Sequence, residues 1–298
     1  MTDDRRERLD ARAVALLVTC SALWGLNQVA AKVALAEIAP LWQAGLRSLG
    51  AAALLSAWAR WRGIPLWQRD GTLRAGLLAG AFFAAEFACI FIGLQYTAAS
   101  RMIVFIYLAP FAVAGGMPFI ARNERLHAAQ AGGLALAFAG VVWAFVEGFA
   151  KPAAGPHQWV GDALGIAAAL LWALTTLTLR GSRLSIATPE KTLLYQLLVS
   201  GIALGAAALL AGEPLPLRLT SVSLVPLAFQ TVIVSFASYL AWFWLVRHYP
   251  ATRISAFTLL TPIFGLLAGV LLLGEPATPR LLVALAAVAC GIVLVNRS

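Results

Sequence analysis

Charged side chains are scarce in this sequence. Asp, Glu, Lys and Arg make up 12% of its 298 residues, whereas 61% are hydrophobic and the mean hydropathy is +0.84. A soluble domain cannot bury that much apolar surface, so an ordinary water-soluble fold is excluded. A lipid bilayer is a suitable solvent for such a chain, because a spanning helix needs about 20 mostly apolar residues.

Cysteine and histidine are also rare, with three residues of each. Cys20, Cys89 and Cys290 all lie in apolar runs, which predicts buried free thiols rather than disulfides or a metal site. The histidines lie at loops or helix ends, without Cys or carboxylate at metal-ligand spacing. No nucleophile–base pair stands out. We therefore expect no metal, no cofactor and no enzymatic activity.

Phosphate-binding motifs are missing as well. Neither G-x-x-x-x-G-K-[ST] nor G-x-G-x-x-G occurs, so the chain is not expected to hydrolyse ATP. The net charge of +9 would suggest a nucleic-acid partner in a soluble protein. Here a simpler interpretation applies, because Lys and Arg orient membrane helices. We expect the lipid bilayer, and no nucleic acid, as the surrounding partner.

What the sequence does contain is a series of apolar segments joined by short loops. Each segment is long enough for one membrane crossing, which predicts an all-α membrane protein with ten transmembrane helices. The segments cover about residues 13–35, 41–60, 74–96, 98–120, 128–147, 159–180, 190–211, 222–247, 251–273 and 278–296.

Basic residues predict the orientation of these helices. With the N-terminus inside, fifteen Lys and Arg residues fall on the cytoplasmic side and four on the other. Both termini are therefore expected in the cytoplasm, in a multi-pass inner-membrane protein. The cytoplasmic set is Arg5, Arg6, Arg8, Arg12, Arg60, Arg62, Arg69, Arg74, Arg122, Arg125, Arg180, Arg183, Arg247, Arg253 and Arg297, and the outer set is Arg101, Lys151, Arg218 and Arg280.

The two halves of the chain resemble each other. "ASRMIVFIYLAPF" aligns without a gap with "ATRISAFTLLTPI". This alignment matches Arg101 with Arg253, Phe105 with Phe257, Leu108 with Leu260 and Pro110 with Pro262. A one-residue shift then matches Glu124 with Glu275 and Gly140 with Gly291, and earlier segments match Trp24 with Trp172 and Pro40 with Pro189. Each half, 13–147 and 159–296, holds five predicted helices. Because five is odd, the second half enters the membrane upside down, which predicts an inverted-topology repeat with a central site.

These residues resemble the EamA type, the ten-helix branch of the drug/metabolite transporter superfamily. That family's repeat ends in an "ALxYTSA"-like stretch, a helix with a central proline and a "GE" turn. "GLQYTAASRMIVFIYLAPF" and "VRHYPATRISAFTLLTPIFGLLAGVLLLGEPA" fit this pattern, and "NERL" replaces "GERL" in the first half. Glu86 in "AAEFACIFIGLQY" is similar to the "YEIC" stretch of YddG-type amino acid exporters. The resemblance implies two five-helix repeats and transport of a small molecule.

Two prolines and two charges are the most unusual residues of the predicted helices. Pro110 and Pro262 have two interpretations. They form paired kinks that shape a central cavity or act as a hinge, or they only serve the packing of helices. Glu86 lies about 18 Å from the cytoplasmic end of its helix and Arg47 about 9 Å from the outer end. Intramembrane charges are functional candidates. Glu86 is either a cavity carboxylate that meets substrate or proton, or the partner of Arg47 in a structural pair.

Aromatic and polar side chains supply the remaining candidates for a substrate cavity. They could line the cavity, or they could form hydrogen bonds between helices. They are Trp24, Asn27, Gln28, Tyr107, Trp172, Thr175, Tyr239 and Trp242.

The resemblance and the charge inventory favour one function. We expect a secondary transporter, an exporter of small neutral or zwitterionic metabolites such as aromatic amino acids, which works as a monomer by alternating access. A multidrug carrier, or a carrier of another metabolite with the same fold, stays open as the alternative. A channel is disfavoured because pores show rings of charge or selectivity loops. An intramembrane enzyme is disfavoured because clustered catalytic residues are missing.

Overall fold

The structure is a computed structural model that describes residues 8–93, 96–97, 99–121, 127–144, 146, 157–217, 219–273 and 279–296. All regular elements within these ranges are helical. Some residues on which expectations were placed lie outside the described residues. They are Arg5, Arg6, Arg122, Glu124, Arg125, Lys151, Arg218, Glu275 and Arg297, together with the side chains of Gln28, Arg101 and Arg280.

The described residues form helices in both halves of the chain. In the first half they are α1 (Ala11–Ala34), α2 (Pro40–Trp61), α3 (Leu73–Gly93), α4 (Ala99–Ile106), α5 (Ala109–Ile120) and α6 (Ala128–Ala144). In the second half they are α7 (Gln158–Arg180), α8 (Pro189–Leu210), α9 (Ser221–His248), α10 (Ala251–Phe257), α11 (Leu260–Leu273) and α12 (Pro279–Asn296). A short 3₁₀ turn, Arg183–Ile186, joins α7 to α8.

Several of these helices meet the requirement for crossing a bilayer. Five are long and apolar enough by length and composition, and three shorter stretches are apolar. The five are Ala11–Ala31, Leu73–Gly93, Gln158–Arg180, Pro189–Leu210 and Ser221–His248, and the shorter three are Val104–Ile120, Ala128–Trp143 and Val283–Asn296. Large apolar side chains such as Phe119 and Leu210 point away from the protein. These features describe a multi-pass membrane protein, in which such side chains meet lipid.

Helix starts follow local sequence signals. The side chains of Asp10, Thr188 and Thr220 cap α1, α8 and α9 by accepting a backbone N–H of the first turn. Pro40 and Pro189, which the repeat aligns, each lie in the first turn of their helix. A proline is well tolerated there because its missing N–H would have no partner in the helix.

Two segments that were expected as single helices are each divided in two. Two residues separate the end of α4 from the start of α5, and two residues separate the end of α10 from the start of α11. At these interruptions Leu108 N donates to Phe105 O (3.1 Å) and Leu259 N donates to Ala256 O (3.2 Å), which is 3₁₀-type bonding. Pro110 follows the first interruption by two residues. Pro262 follows the second by three.

Helix α9 contains an unexpected π-helical section. It runs as α-helix over Ser221–Ala228, as π-helix over Phe229–Ser238, and as α-helix again over Tyr239–His248. Pro226 precedes the section and lacks an N–H, which weakens regular hydrogen bonding in that turn. The wider section changes the register of the residues that follow it, including Tyr239 and Trp242.

The helices pack in a pattern that repeats when the two halves are exchanged. α2 packs on its counterpart α8, and α6 on its counterpart α12. Exchanging the halves turns the contact of α3 with α7 into the contact of α9 with α1, and both contacts are present. In the same way, the contact of α1 with α11 corresponds to the contact of α7 with α5. Gly133 lies against Leu294, and Gly140 lies against Ala287. Chain direction is therefore opposite in α6 and α12.

All three cysteines are free, as the sequence predicts. Cys20 is buried and Cys89 is half-buried. The expectation of burial is wrong for Cys290, whose side chain is exposed on the outer face of α12. Apolar sequence alone does not distinguish the inner face of a membrane helix from its outer face, since lipid is as apolar as the protein core.

Candidate functional site

Two opposite charges are buried in the interior of the helix bundle. The Arg47 side chain on α2 is 3% exposed, and the Glu86 side chain on α3 is 7% exposed. Arg47 lies two residues from Gly45, which contacts Gly205 of α8 and lets α2 approach that helix closely. The two charges interact electrostatically. Within the described part of the chain, no direct ion-pair contact joins them.

Aromatic rings surround this pair. The Arg47 guanidinium lies over the Phe87 ring, with 4.3 Å between Cζ and the ring centroid. Phe87 packs edge-on against Phe83 at 4.9 Å, and Phe83 packs edge-on against Tyr239 of α9 at 6.0 Å. Tyr239 interacts electrostatically with both Arg47 and Glu86. Three helices thus place a cation, an anion and a phenol around one point.

Helix α1 contributes an indole to the same region. Trp24 Nε1 donates a hydrogen bond to Ser238 Oγ (2.9 Å), at the end of the π-helical section. The Trp24 ring packs edge-on against Tyr239 at 6.0 Å and against Trp242 at 5.3 Å. We call Trp24, Arg47, Glu86, Phe87, Tyr239 and Trp242 the central cluster.

A second aromatic pair lies beside the central cluster. Tyr107, in the interruption between α4 and α5, packs edge-on against Trp172 of α7 at 5.9 Å. Tyr107 interacts electrostatically with Tyr239 and Glu86. The interrupted helix therefore reaches the central cluster through Tyr107, three residues before Pro110. Pro110 and Pro262 are both buried within the protein.

The small polar candidates have different surroundings. Thr175 Oγ1 donates to Leu171 O (3.0 Å) of its own helix, so its hydroxyl already has a partner. Asn27 is half-buried, and its Oδ1 is buried without a hydrogen-bond partner in the described structure. An unpaired buried amide oxygen is costly unless something else donates to it. Asn27 is therefore the stronger of these two candidates.

Two residues of this region were missed by sequence reasoning. Phe83 and Phe87 lie four residues apart, with Glu86 between them, so one face of α3 carries all three. Two phenylalanines on the helix face that carries an intramembrane acid could have indicated this site from the sequence. The pattern is not conspicuous, because phenylalanine is common in membrane helices.

Charged side chains outside the membrane segments fix the loops to helix ends. Lys191 Nζ, at the start of α8, donates to Asp70 Oδ2 (2.7 Å) and Gln68 O (2.7 Å). Hydrogen bonds from Lys191 and Thr72 hold the pKa of Asp70 well below its usual range. On the opposite side, the Glu213 carboxylate accepts from Leu41 N and Trp42 N at the start of α2.

A third contact involves the loop after α1. Thr220 N donates to Glu37 Oε2 (2.8 Å) and Thr220 Oγ1 donates to Glu37 Oε1 (2.6 Å), while Ser223 Oγ also donates to this carboxylate. The bonds from Ser223 and Thr220 lower the pKa of Glu37 from its usual value.

No group of His, Cys, Asp and Glu arranged for a metal ion occurs among the residues that the structure describes.

Comparisons with known proteins agree with this architecture. An uncharacterized transporter, YvbV of Bacillus subtilis (strain 168), is 28% identical over 290 residues, covering 96% of this chain and 92% of its own length. The probable amino-acid metabolite efflux pump of Escherichia coli (strain K12) is 31% identical over 278 residues, covering 89% of this chain and 87% of its own length.

A solved structure, titled only "Crystal structure of protein", shares the fold. Its TM-score is 0.80 at 20% sequence identity, over 95% of this chain and 97% of that chain. The family model described as the EamA-like transporter family matches twice, over residues 11–146 and 159–297. This confirms the resemblance identified from "GLQYTAASRMIVFIYLAPF" and its second copy. The chain belongs to the EamA-like transporter family.

Proposed function

We propose that this protein is a secondary transporter that exports small neutral or zwitterionic metabolites, such as aromatic amino acids, by alternating access. The observation that carries the proposal is the central cluster. Helices from both halves of an EamA-like chain bring one buried cation, one buried anion and several aromatic rings together. Buried charges inside a membrane protein are expensive and mark substrate or ion pathways.

The charge inventory limits the substrate class. An organic phosphate or a nucleotide sugar calls for several deep cations, since phosphate is recognised by Arg and Lys clusters. The central cluster offers a single guanidinium and balances it with one carboxylate. The aromatic rings of Trp24, Phe87 and Tyr239 offer an apolar surface for the rest of the molecule. This combination fits a molecule with no net charge.

The packing of the two halves supports the alternating-access part of the proposal. Equivalent helices pack on each other, and α6 and α12 run in opposite directions. Such a relation is expected if the second half, 159–296, is inverted relative to the first, 13–147. Inverted repeats let one central site open to either side of the membrane. We propose that the protein lies in the inner membrane and that both of its termini face the cytoplasm.

The direction of transport is proposed from a relative. The Escherichia coli protein is named a probable amino-acid metabolite efflux pump, and its similarity extends over most of both chains. Export of an amino-acid-like metabolite is therefore the first activity to test. The aromatic surroundings of Arg47 and Glu86 leave a multidrug carrier as the alternative.

Counterflow in proteoliposomes tests the proposal. Liposomes with the purified protein are loaded with unlabelled aromatic amino acids and then given a trace of the labelled compound. We expect transient, saturable accumulation that empty liposomes and liposomes with denatured protein do not show. Saturable flux of lipophilic cations alone would favour the multidrug alternative, and unsaturated high conductance would indicate a channel. Absence of saturable flux for all compounds would contradict a carrier function.

A further inference from the structure

Among the residues that the structure describes, neither buried charge of the central cluster forms an ion pair. Arg47 Nε is buried without a hydrogen-bond partner, while another part of the guanidinium lies beside the Tyr239 hydroxyl. Among the described residues, Arg47 is the charged group that acts on Glu86. The two groups interact electrostatically without ion-pair contact among the described residues. Buried charges in a bilayer are normally paired. A single molecule that carries both opposite charges could pair with this buried cation and this buried anion at the same time.

We infer that Arg47 and Glu86 are the two ends of a subsite for a zwitterion. The Arg47 guanidinium donates to the carboxylate of the substrate, and the substrate's ammonium donates to the Glu86 carboxylate. A zwitterion placed this way pairs both buried charges at once, whereas a substrate with one charge leaves the other unpaired. This inference rests on the proposed function and names the residues that select its substrate class.

Phe87 positions the guanidinium for that role. Its ring covers one face of the Arg47 guanidinium, with 4.3 Å from Cζ to the ring centroid. A guanidinium stacked on a ring keeps its N–H groups in the guanidinium plane, along its edges. Those edges match the two oxygens of a carboxylate in a bidentate arrangement. Phe87 is therefore a positioning residue.

The nearby rings provide a place for an apolar substrate side chain. Tyr239 interacts with both charges and packs against Trp24 and Phe83. Offset and edge-on contacts between aromatic rings add to the hydrophobic gain of burial. L-Phenylalanine combines the two charges and a ring in one small molecule, and it is the probe of choice.

Ligand-induced thermal stabilisation of the purified, full-length protein measures binding without requiring transport. Three compounds are titrated: L-phenylalanine, phenethylamine, which lacks the carboxylate, and 3-phenylpropanoate, which lacks the ammonium. For the unmodified protein we expect apparent Kd values roughly ten- to hundredfold higher for each single-charge compound than for phenylalanine, the usual size of a lost charge-assisted hydrogen bond.

Two variants test the assignment of the ends. Arg47→Gln is expected to weaken phenylalanine binding about ten- to hundredfold while leaving phenethylamine binding within about twofold. Glu86→Gln is expected to weaken phenylalanine similarly while leaving 3-phenylpropanoate unchanged. Arg180→Gln is the control for the loss of a buried arginine, because Arg180 lies at the end of α7, is not part of the central cluster and donates from NH1 to Val246 O. Midpoints without ligand and size-exclusion profiles establish that each variant is folded.

The outcomes separate this inference from the proposed function. Equal affinity for the three compounds in the unmodified protein, no binding of any of them, or unchanged selectivity in both variants would overturn the subsite. If a variant does not fold, the order of the three affinities in the unmodified protein still decides the matter. Failure of the proposed function appears elsewhere, as the absence of saturable counterflow for every compound in proteoliposomes.

Discussion

At the residue scale, the buried charges are the costliest feature of the membrane part. A charge near the bilayer centre costs at least about 2.5–3.5 kcal/mol even on the lowest scales. Arg47 offsets part of this cost through the Phe87 ring and through its attraction to Glu86. A fold that served stability alone would replace both residues by apolar ones, which is often neutral or stabilising. Their presence therefore favours a role in substrate handling.

The first prediction concerns the carboxyl of Glu86. Glu86→Gln keeps the size of the side chain but cannot take up or release a proton. We expect weaker transport with a flatter dependence on pH, because exchange of a proton for the substrate's ammonium is lost. The charged and titratable groups that face Glu86 are Arg47, Tyr107, Tyr239 and Cys89, and they stay in place. Counterflow rates at several pH values measure the change.

The thermal stability of the Glu86→Gln protein is measured alongside its transport. Normal transport by an unstable Glu86→Gln protein would favour a structural pair with Arg47. If neither transport nor stability changes, Glu86 has neither role. The matched control is Glu213→Gln, which also removes one carboxylate but at the start of α2, outside the central cluster.

The second prediction concerns Asp70, in the loop between α2 and α3. Its pKa is lowered by hydrogen bonds from Lys191 and then from Thr72. A carboxyl whose pKa is lower in the folded state stabilises the fold above its unfolded pKa of about 3.9, and that contribution is lost as the pH falls through the folded value. The Asp70 side chain is 39% exposed, so solvent and salt weaken the contribution.

Asp70→Asn should therefore lower the thermal midpoint at neutral pH. The difference from the unmodified protein should narrow as the pH falls below about 4, because Asp70 itself is then being protonated. Glu190→Gln, which removes an acid beside Lys191, is the control and should leave the neutral-pH midpoint nearly unchanged. Thermal unfolding of detergent-purified protein at several pH values checks this. A pH-independent difference would argue against the ionised pair.

At the scale of helices, close packing depends on small residues. Gly133 on α6 lies against the α12 backbone: an added Cβ would meet Gly291 O at 2.7 Å and Val295 N at 3.0 Å. At Gly132, the neighbouring residue, an added Cβ would meet nothing within 4 Å. The two glycines thus form a matched pair, one in the α6–α12 interface and one outside it.

The third prediction uses that pair. Gly133→Ala should destabilise the protein by about 1–3 kcal/mol, because a backbone clash forces the two helices apart. Gly132→Ala should be neutral or stabilising by up to about 1 kcal/mol, since alanine favours helix more than glycine does. Thermal midpoints and the yield of monodisperse protein measure both. Equal destabilisation by the two changes would contradict the α6–α12 packing.

Two interrupted helices are the other feature at this scale. Pro110 and Pro262 are buried, and each follows an interruption with 3₁₀ bonding. The first interruption contains Tyr107, which packs against Trp172 and interacts electrostatically with Tyr239 and Glu86 of the central cluster. We propose that these two places change conformation during transport, since interruptions of this kind absorb backbone rearrangement.

The fourth prediction follows from that proposal. Pro110→Ala and Pro262→Ala should lower transport more than they lower folded yield, because a restored N–H favours a continuous helix. Counterflow rates normalised to folded protein measure the effect. Pro118→Ala is the control, since Pro118 lies inside α5 away from its interrupted end. Unchanged transport in both test variants would remove the hinge role.

At the scale of the whole molecule, exchange of the two halves preserves the packing of helices. Loops at opposite ends of the bundle are held similarly: Asp70 binds Lys191 at the start of α8, and Glu213 binds the backbone at the start of α2. These contacts tie α2 and α8 to the neighbouring loops at both ends. We expect the α2–α8 pair to move least during transport.

The fifth prediction concerns topology. Tags at residues 1 and 298 should both report the cytoplasm, and a single cysteine at position 151 should react with an impermeant reagent from outside the cell. A matched cysteine at position 183, in the turn before α8, should react only after the membrane is permeabilised. The reason is the excess of Lys and Arg on the cytoplasmic side. Labelling of position 151 from the cytoplasmic side would contradict the inverted repeat.

The sequence by itself determined the membrane class, the approximate ends of the helices, the internal repeat and the family. These depend on local properties: the length of apolar segments is set by bilayer thickness, and helix starts are marked by residues such as Pro40, Pro189 and Thr188. The unusual charges and prolines were also visible, because a charge or a helix breaker is conspicuous in an apolar run.

Only the tertiary structure decided which of these residues meet. Arg47, Glu86 and Tyr239 are far apart in sequence, and their proximity depends on helix approach at glycines and on the register set by the π-helical section of α9. The stacking of Phe87 on Arg47, the exposure of Cys290 and the interruptions before Pro110 and Pro262 likewise depend on packing. Hydrophobicity cannot specify them, because lipid and protein interior are equally apolar, so contacts between helices are decided by shape and polar pairing.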